Sequence, residues 1–323
     1  MLGIVLTGLV AGLASALLYA TVVAGSPIAI VLFYAAPLPL MIAGLGWNHR
    51  AAIVGGVVAS AFMATAMTPV SAIVYIVSVA APAWVLSYLA LLGRREGEQV
   101  VEWLPTGQLV MAAAMMSGAM GVLGVISLGP SLEAFWSVIR AGVELMLRAQ
   151  FGIPETQPLV IPDVVDTDAF IATFATLVPP VVILFYTLTL LFNLWLAARV
   201  AQRSGRLLRP WSDFSTLDLP RWAVPAFVAS AIAAMAPGHL GLFAELFAAS
   251  LLLAFTLLGF AVIHDITRGL AARGLILGGV YFAAFAMGWP LFVAAGLGLA
   301  ERFVRLRDRF AARRSSPPTM NND

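Results

Sequence analysis

AFIATFATLVPPVVILFYTLTLLFNLWLAA, Ala169 to Ala198, is a run of 30 residues without a charge. A continuous helix over it would measure about 45 Å at 1.5 Å per residue. The hydrocarbon core of a bilayer is only about 30 Å thick. Pro179 and Pro180 remove two consecutive backbone donors. A kink is therefore expected there, dividing an outer turn or two from an 18-residue spanning helix, Val181 to Ala198. Glu155, Asp163, Asp166 and Asp168 precede the run, and Arg199, Arg203, Arg206 and Arg209 follow it. By the positive-inside rule this helix enters from outside and ends in the cytoplasm.

The rest of the chain has the same character. Of 323 residues, 61% are hydrophobic and 11% charged, against roughly 25% charged in an average soluble domain. The composition is that of a polytopic membrane protein, and its loops are too short to hold a soluble domain of about 50 residues or more. All 18 basic residues are arginine, so lysine Schiff-base chemistry and the lysine of a phosphate-binding loop are excluded. With no cysteine, disulfides, thiolate nucleophiles and thiolate–metal sites are excluded too. Met1 to Ser26 lacks a basic leader, and its apolar run exceeds the 7–15 residues or so of a signal-peptide core, so it reads as a retained first span.

Expected segments are Leu2–Ala24, Ile28–Gly46, Ala51–Met67, Val70–Leu92 and Leu104–Leu128, then the organising run, then Ala223–Ala236 and Leu240–Ile263. Arg94 to Trp103 reads as a mixed-charge solvated linker, and Arg199 to Arg221 as the longest cytoplasmic loop and an orientation signal, with an anionic-lipid contact as the alternative. Leu270 to Ala300 is interrupted by Gly288-Trp289-Pro290 and reads as a hairpin, which keeps the arginine-rich tail inside; a re-entrant pair serves equally well. Between Ser131 and Gln150, polar residues recur at steps of three and four, which predicts an amphipathic helix at the outer interface, with Glu144 and Arg148 as an i, i+4 pair. A lid over an external cavity is one use for it. The expected fold is an all-α polytopic transmembrane helical bundle of about eight to ten membrane segments with both termini cytoplasmic.

Glu245 stands within an apolar run near the outer end of its helix, where an ionisable group is a ligand- or proton-binding candidate; the alternative is a packing role. His239 is six residues earlier and could approach it. Asn193, among leucines, can bond across helices or line a cavity. Asp265 reads as a cap for a helix starting at Ile266. Gly8, Gly12, Ala16 and Ala20 form a stripe of small residues on the first span, suited to tight packing within the bundle or to docking a partner helix. His49 and His264 lie at the opposite membrane face from His239, so no metal centre is expected, nor any cofactor. No catalytic motif appears, so an enzyme is not expected.

NLWLAAR at the end of the sixth span, RPWSDFSTLDLPRW, VIHDITRGLAARG and the closing GLGLAERFVRLRDRF resemble the YybS-like family of bacterial polytopic membrane proteins. That family is in turn distantly similar to the substrate-binding S components of energy-coupling-factor transporters. The resemblance implies a six-span core over residues 1–199, carrying the outer amphipathic helix 131–150, and a first-span stripe that docks a coupling subunit. Further membrane segments over 200–303 and a partly disordered cytoplasmic tail, 304–323, would complete the chain. The expected role is small-molecule binding or transport in the bacterial cytoplasmic membrane without an ATPase of its own; a scaffold or assembly factor and a membrane enzyme are the alternatives. Expected partners are membrane lipids, a small-molecule substrate and a membrane subunit, but not nucleic acid.

Overall fold

The computed structural model describes residues 1–96, 100–161 and 164–315, leaving aside the side chains of 95, 96, 100 and 313–315. The chain starts with α1 (Leu2–Ala20), extended to Ala24 by a 3-10 turn, then α2 (Pro27–Tyr34), α3 (Pro37–Trp47) and α4 (His49–Ala66). α5 (Pro69–Tyr75) continues through a π-helical stretch, Ile76–Ala80, into α6 (Ala81–Ala90). Then come β1 (Gly93–Glu96), β2 (Val100–Trp103), α7 (Thr106–Leu128), α8 (Leu132–Phe151) and α9 (Thr167–Arg203). α10 (Ala223–Ala233), α11 (Gly238–Ile266), α12 (Arg273–Met287), α13 (Pro290–Val304) and α14 (Leu306–Ser315) complete it. Among the described residues, seven helical stretches are long and apolar enough to cross a membrane, and α10 and α12 are shorter apolar helices. The protein is an all-α polytopic bundle.

Side-chain caps mark where helices begin. Ser26, Thr68, Ser131 and Asp166 each accept a hydrogen bond from the backbone N–H three residues on, at the starts of α2, α5, α8 and α9. Proline occupies the first turn of α2 and α5, where its missing donor costs nothing.

α1 and α4 run side by side in the same direction. Gly8 lies on Ala51 and Val54, and Gly12 on the backbone of Gly55. Both helices therefore start at the end of the bundle that also holds Arg206, stacked on Trp47, and Arg209, bonded to Ala90. Arg307, just after α13, bonds the carbonyls of Ser215 and Leu217 at this same arginine-rich end. Both ends of the described chain thus lie at one end of the bundle.

The structure corrects some of these expectations. α9 is one helix of 37 residues, about 55 Å long, and the two prolines do not divide it. Tertiary packing holds its first half: Ile171 and Ala175 are buried with Val143 and Leu147 of α8 and with Ile161. The second span runs over Pro27–Trp47 as expected, and within it the helix is interrupted at Ala35-Ala36, between α2 and α3. The linker after α6 is an antiparallel hairpin with Arg94 opposite Glu102, an opposite-charge pairing that favours strands. Asp265 lies in the last turn of α11, so it caps no following helix.

The segment 204–222 is packed. Arg209, Ser215, Leu217 and Leu219 are buried. The Asp218 carbonyl comes so close to Gly107 that a Cβ there would lie 1.7 Å from its oxygen, so only glycine fits. A charged girdle fastens the segment. Arg268 pairs with Asp213 at 2.7 Å, Arg302 pairs with Asp218, and Arg307 pairs with buried Glu301 at 2.8 Å.

α12 and α13 form the expected hairpin, but a shallow one. The Thr256 hydroxyl of α11, which donates to the Leu252 carbonyl at 2.9 Å, lies 3.4 Å from the Leu291 carbonyl, and Gly259 packs on Ala294. Thr256 is 18 residues, about 27 Å, from the start of α11 and ten residues, about 15 Å, from its end. The turn at Gly288-Trp289 therefore reaches only the middle of the bundle. Of the expected tail, 306–315 is helical, and 316–323 fall outside the described residues.

Candidate functional site

Three prolines in two helices organise the site. Pro37 and Pro39 lack the N–H groups that a continuous helix would direct at Phe33 and Ala35. The chain satisfies the carbonyls around this break one by one. Ala36 N–H donates to Phe33 and Leu38 N–H to Ala35, at 3.1 and 3.0 Å. Asn193 Nδ2 reaches across from α9 to the Tyr34 carbonyl at 2.9 Å, and Ser15 Oγ reaches from α1 to the Ala36 carbonyl at 2.6 Å. Since the Ser15 proton is used there, Tyr75, fully buried, donates to Ser15 Oγ at 2.6 Å.

The third is Pro82, four residues after Ser78. Its missing N–H frees the Ser78 carbonyl within the π-helical stretch, and the Tyr186 hydroxyl of α9 donates to it at 2.7 Å. Irregular backbone at membrane depth is tolerated where protein covers it or where it lines a cavity. Both conditions hold here. A cavity of about 340 Å³ lies against these two breaks, bounded by Tyr34 and Pro37 on one wall and Ser78 and Val79 on the next. Its other walls are Gly121, Gly124 and Leu128 of α7, Val182, Tyr186 and Thr189 of α9, and Leu246 of α11.

α8 lines the end of the cavity away from the arginine-rich end with Phe135 and Ile139. This is the amphipathic helix expected from the sequence, and the Glu144–Arg148 pair forms at 2.7 Å. Arg148 also donates to the carbonyls of Pro154 and Gln157, at 3.0 and 2.8 Å, which ties the segment after α8 to that helix. Besides the backbone, the polar residues in the cavity wall are Tyr34, Ser78, Tyr186 and Thr189, each with a hydroxyl. That of Ser78 is committed to the Val74 carbonyl.

The residues singled out by sequence fall around this site rather than together in it. Asn193 is buried one turn below Thr189 and bonds the Tyr34 and Thr189 carbonyls, so it fixes the wall of the cavity instead of lining it. Glu245 is half-buried next to Leu246, turned about 100° around α11 from that lining residue. His239 is exposed, and its ring contacts Phe243 at 5.8 Å. Six residues rotate the helix by about 240° and advance it about 9 Å, so His239 and Glu245 point in different directions. The Gly8, Gly12, Ala16 stripe is covered by its own chain: Gly8 and Gly12 by α4, while Ala16 is fully buried; Ala20 is half-buried. A partner helix would have to displace α4 to use the glycines.

Sequence reading missed Tyr186, Ser78, Ser15 and Tyr75. The available signal was spacing, a proline four residues after Ser78 and two prolines following Tyr34, which marks carbonyls in need of outside donors.

At the arginine-rich end, Asp213 is held below the usual carboxylate range by the Ser215 backbone N–H, with Arg268 adding to the effect. Burial lowers the affinity of the Arg209 guanidinium for its proton. Its charge sits at the C-terminus of α6, bonded to the Ala90 carbonyl at 3.0 Å and facing the negative end of that helix.

A family model described as "Predicted membrane protein (DUF2232)" matches residues 12–299. The chain belongs to the DUF2232 family. The matched span of this DUF2232 protein takes in every wall of the cavity and both proline breaks. It fits the multi-pass membrane family expected from the closing motifs, while the likeness to transporter S components has no support among the matches. No curated protein and no solved structure matches the chain.

Proposed function

We propose that the protein binds, and moves across or within the bacterial cytoplasmic membrane, a small, largely hydrocarbon molecule carrying one or two hydroxyl or carbonyl groups, without an ATPase of its own. The observation that carries this reading is the cavity of about 340 Å³ beside two broken helices and under an amphipathic lid. Its volume is at the lower end of the range for small-molecule sites, about 300–1,000 Å³. Apolar walls select a hydrocarbon body. The Tyr186 oxygen, which donates its proton to Ser78, and the Thr189 hydroxyl would orient a ligand's polar group. The arginine-rich end would face the cytoplasm and the lid the outside. No enzymatic role is proposed, since an acid–base pair of Glu245 and His239 would need two groups that α11 holds apart.

Gly124 supplies the test. An added Cβ there meets no atom within 4 Å, so Gly124→Phe can place a ring in the cavity without moving backbone. Mass spectrometry of small molecules extracted from the purified protein should find a stoichiometric apolar ligand in the wild type and in Gly124→Ala, and none in Gly124→Phe. Wild-type protein that is repeatedly empty, or Gly124→Phe that retains the ligand, would refute the reading; empty preparations favour the scaffold.

A further inference from the structure

A second cavity, of about 480 Å³, lies at the opposite end of the bundle between α7, α9, α11, α12 and the packed segment 211–217. Its character changes along its length. The deep part is hydrocarbon, with Leu188, Leu191 and Leu257 as walls. The end nearest the arginine-rich face carries Trp195, Arg199, Trp211, Ser212, Asp213 and the Tyr281 ring. Indole and phenol rings at such a level are typical of the boundary between acyl chains and headgroups.

The charges at the polar end are unequal in their commitments. Asp213 is neutralised by Arg268 at 2.7 Å. Arg199 has no carboxylate partner among the described residues. Its guanidinium is 5.8 Å from the Trp195 ring, and its polar contact is a long one, 3.4 Å, to the amide oxygen of Gln202. The groove is thus apolar within the bilayer and closes on an exposed, uncommitted cation at the interface. We infer that it is a binding site for one anionic phospholipid of the leaflet at the arginine-rich end, with an acyl chain along Leu188, Leu191 and Leu257 and the phosphate on Arg199. Guanidinium matches phosphate in both charge and geometry. This site is separate from the cavity under α8, and neither depends on the other.

Native mass spectrometry of delipidated protein in detergent, given equimolar dioleoyl phosphatidylglycerol and dioleoyl phosphatidylcholine, tests it. Wild type should retain one phosphatidylglycerol in preference to phosphatidylcholine. Arg199→Gln should lower that preference about tenfold, the loss of one charge-assisted hydrogen bond. Arg203→Gln, an exposed arginine one turn further on and outside the groove, is the control and should leave the preference unchanged. Equal retention of both lipids by the wild type would overturn the inference. So would an equal loss in both variants, which would mean diffuse surface charge, or displacement of the lipid by glycerol 3-phosphate alone, which would mean a headgroup site with no use for the chain.

Discussion

Gly12→Ala adds one methyl group where α1 crosses α4. The new carbon would lie 2.4 Å from the Gly55 carbonyl oxygen and 2.9 Å from its Cα, whereas ordinary contact begins at 3.4 Å. The helices must therefore separate by about 1 Å, which forfeits a quarter to a half of the dispersion attraction across the contact. Overpacking of this kind costs about 1–3 kcal/mol. Alanine's better helix propensity returns up to about 1 kcal/mol, which from the middle of that range, about 2 kcal/mol, leaves a net loss of about 1–2 kcal/mol. At about 2–4 °C per kcal/mol, thermal unfolding in detergent should shift down by about 2–8 °C. Gly3→Ala is the matched control: no atom lies within 4 Å of its added carbon, so its unfolding temperature should not fall. Equal unfolding temperatures for the two variants would show that α1 and α4 are not closely packed at Gly12, and would return the stripe to a partner subunit.

Glu301→Ala takes from Arg307 its closer carboxylate, 2.8 Å away, where both side chains are largely buried; Asp218 stays 3.9 Å off, so the cost in the same assay should fall below the roughly 3–5 kcal/mol of a buried charge left unpaired; Glu144→Gln, at the half-exposed pair on α8, should cost less than about 1 kcal/mol. The Asp213 carboxyl has a lowered folded-state pKa, so its contribution is complete above the unfolded value of about 3.9 and is lost as pH falls through the folded value. Amide protection at Ser215 and Leu217, corrected for intrinsic exchange rates, should therefore drop by a small step below about pH 4, and Asp213→Asn should abolish the step; the step is small because the pair is exposed. Single cysteines at Ser204 and Ser315 should be labelled only after permeabilisation, and one at Thr156 without it; labelling of Ser315 from outside would refute the hairpin of α12 and α13.

What the sequence made legible was whatever depends on local pattern. Apolar length found the spans, the three–four spacing of polar residues found α8, and Gly288-Trp289-Pro290 found the turn of the hairpin. Its errors came where distant contacts decide. Pro179-Pro180 looks locally like a break, yet α8 packed on Ile171 and Ala175 keeps α9 whole; at Pro37 the freed carbonyls are met by Asn193 and Ser15 of neighbouring helices, and the second span still runs over Pro27–Trp47. The arginines after α9 suggested a long cytoplasmic loop. Leu217 and Leu219, buried against α7 and α11, show that a short polar segment can be pulled into a bundle by two side chains. Among candidate site residues, the rare ionisable group drew attention to Glu245, whereas the cavity is walled by common residues whose importance lies in their neighbours.

The hairpin of α12 and α13 gives the molecule unequal girth. Over about one half of the membrane's thickness two extra helices displace lipid, because their turn at Gly288-Trp289 stops near the level of Thr256. By itself the hairpin adds girth in the leaflet at the arginine-rich end and none in the other. Lipid tails of that other leaflet must bend in over the hairpin's tip to avoid a void, which favours short, unsaturated or small-headed lipids there. Such a shape also relieves stress where a membrane already curves in the matching sense, so the protein's distribution within a cell envelope should depend on local curvature as well as on any partner.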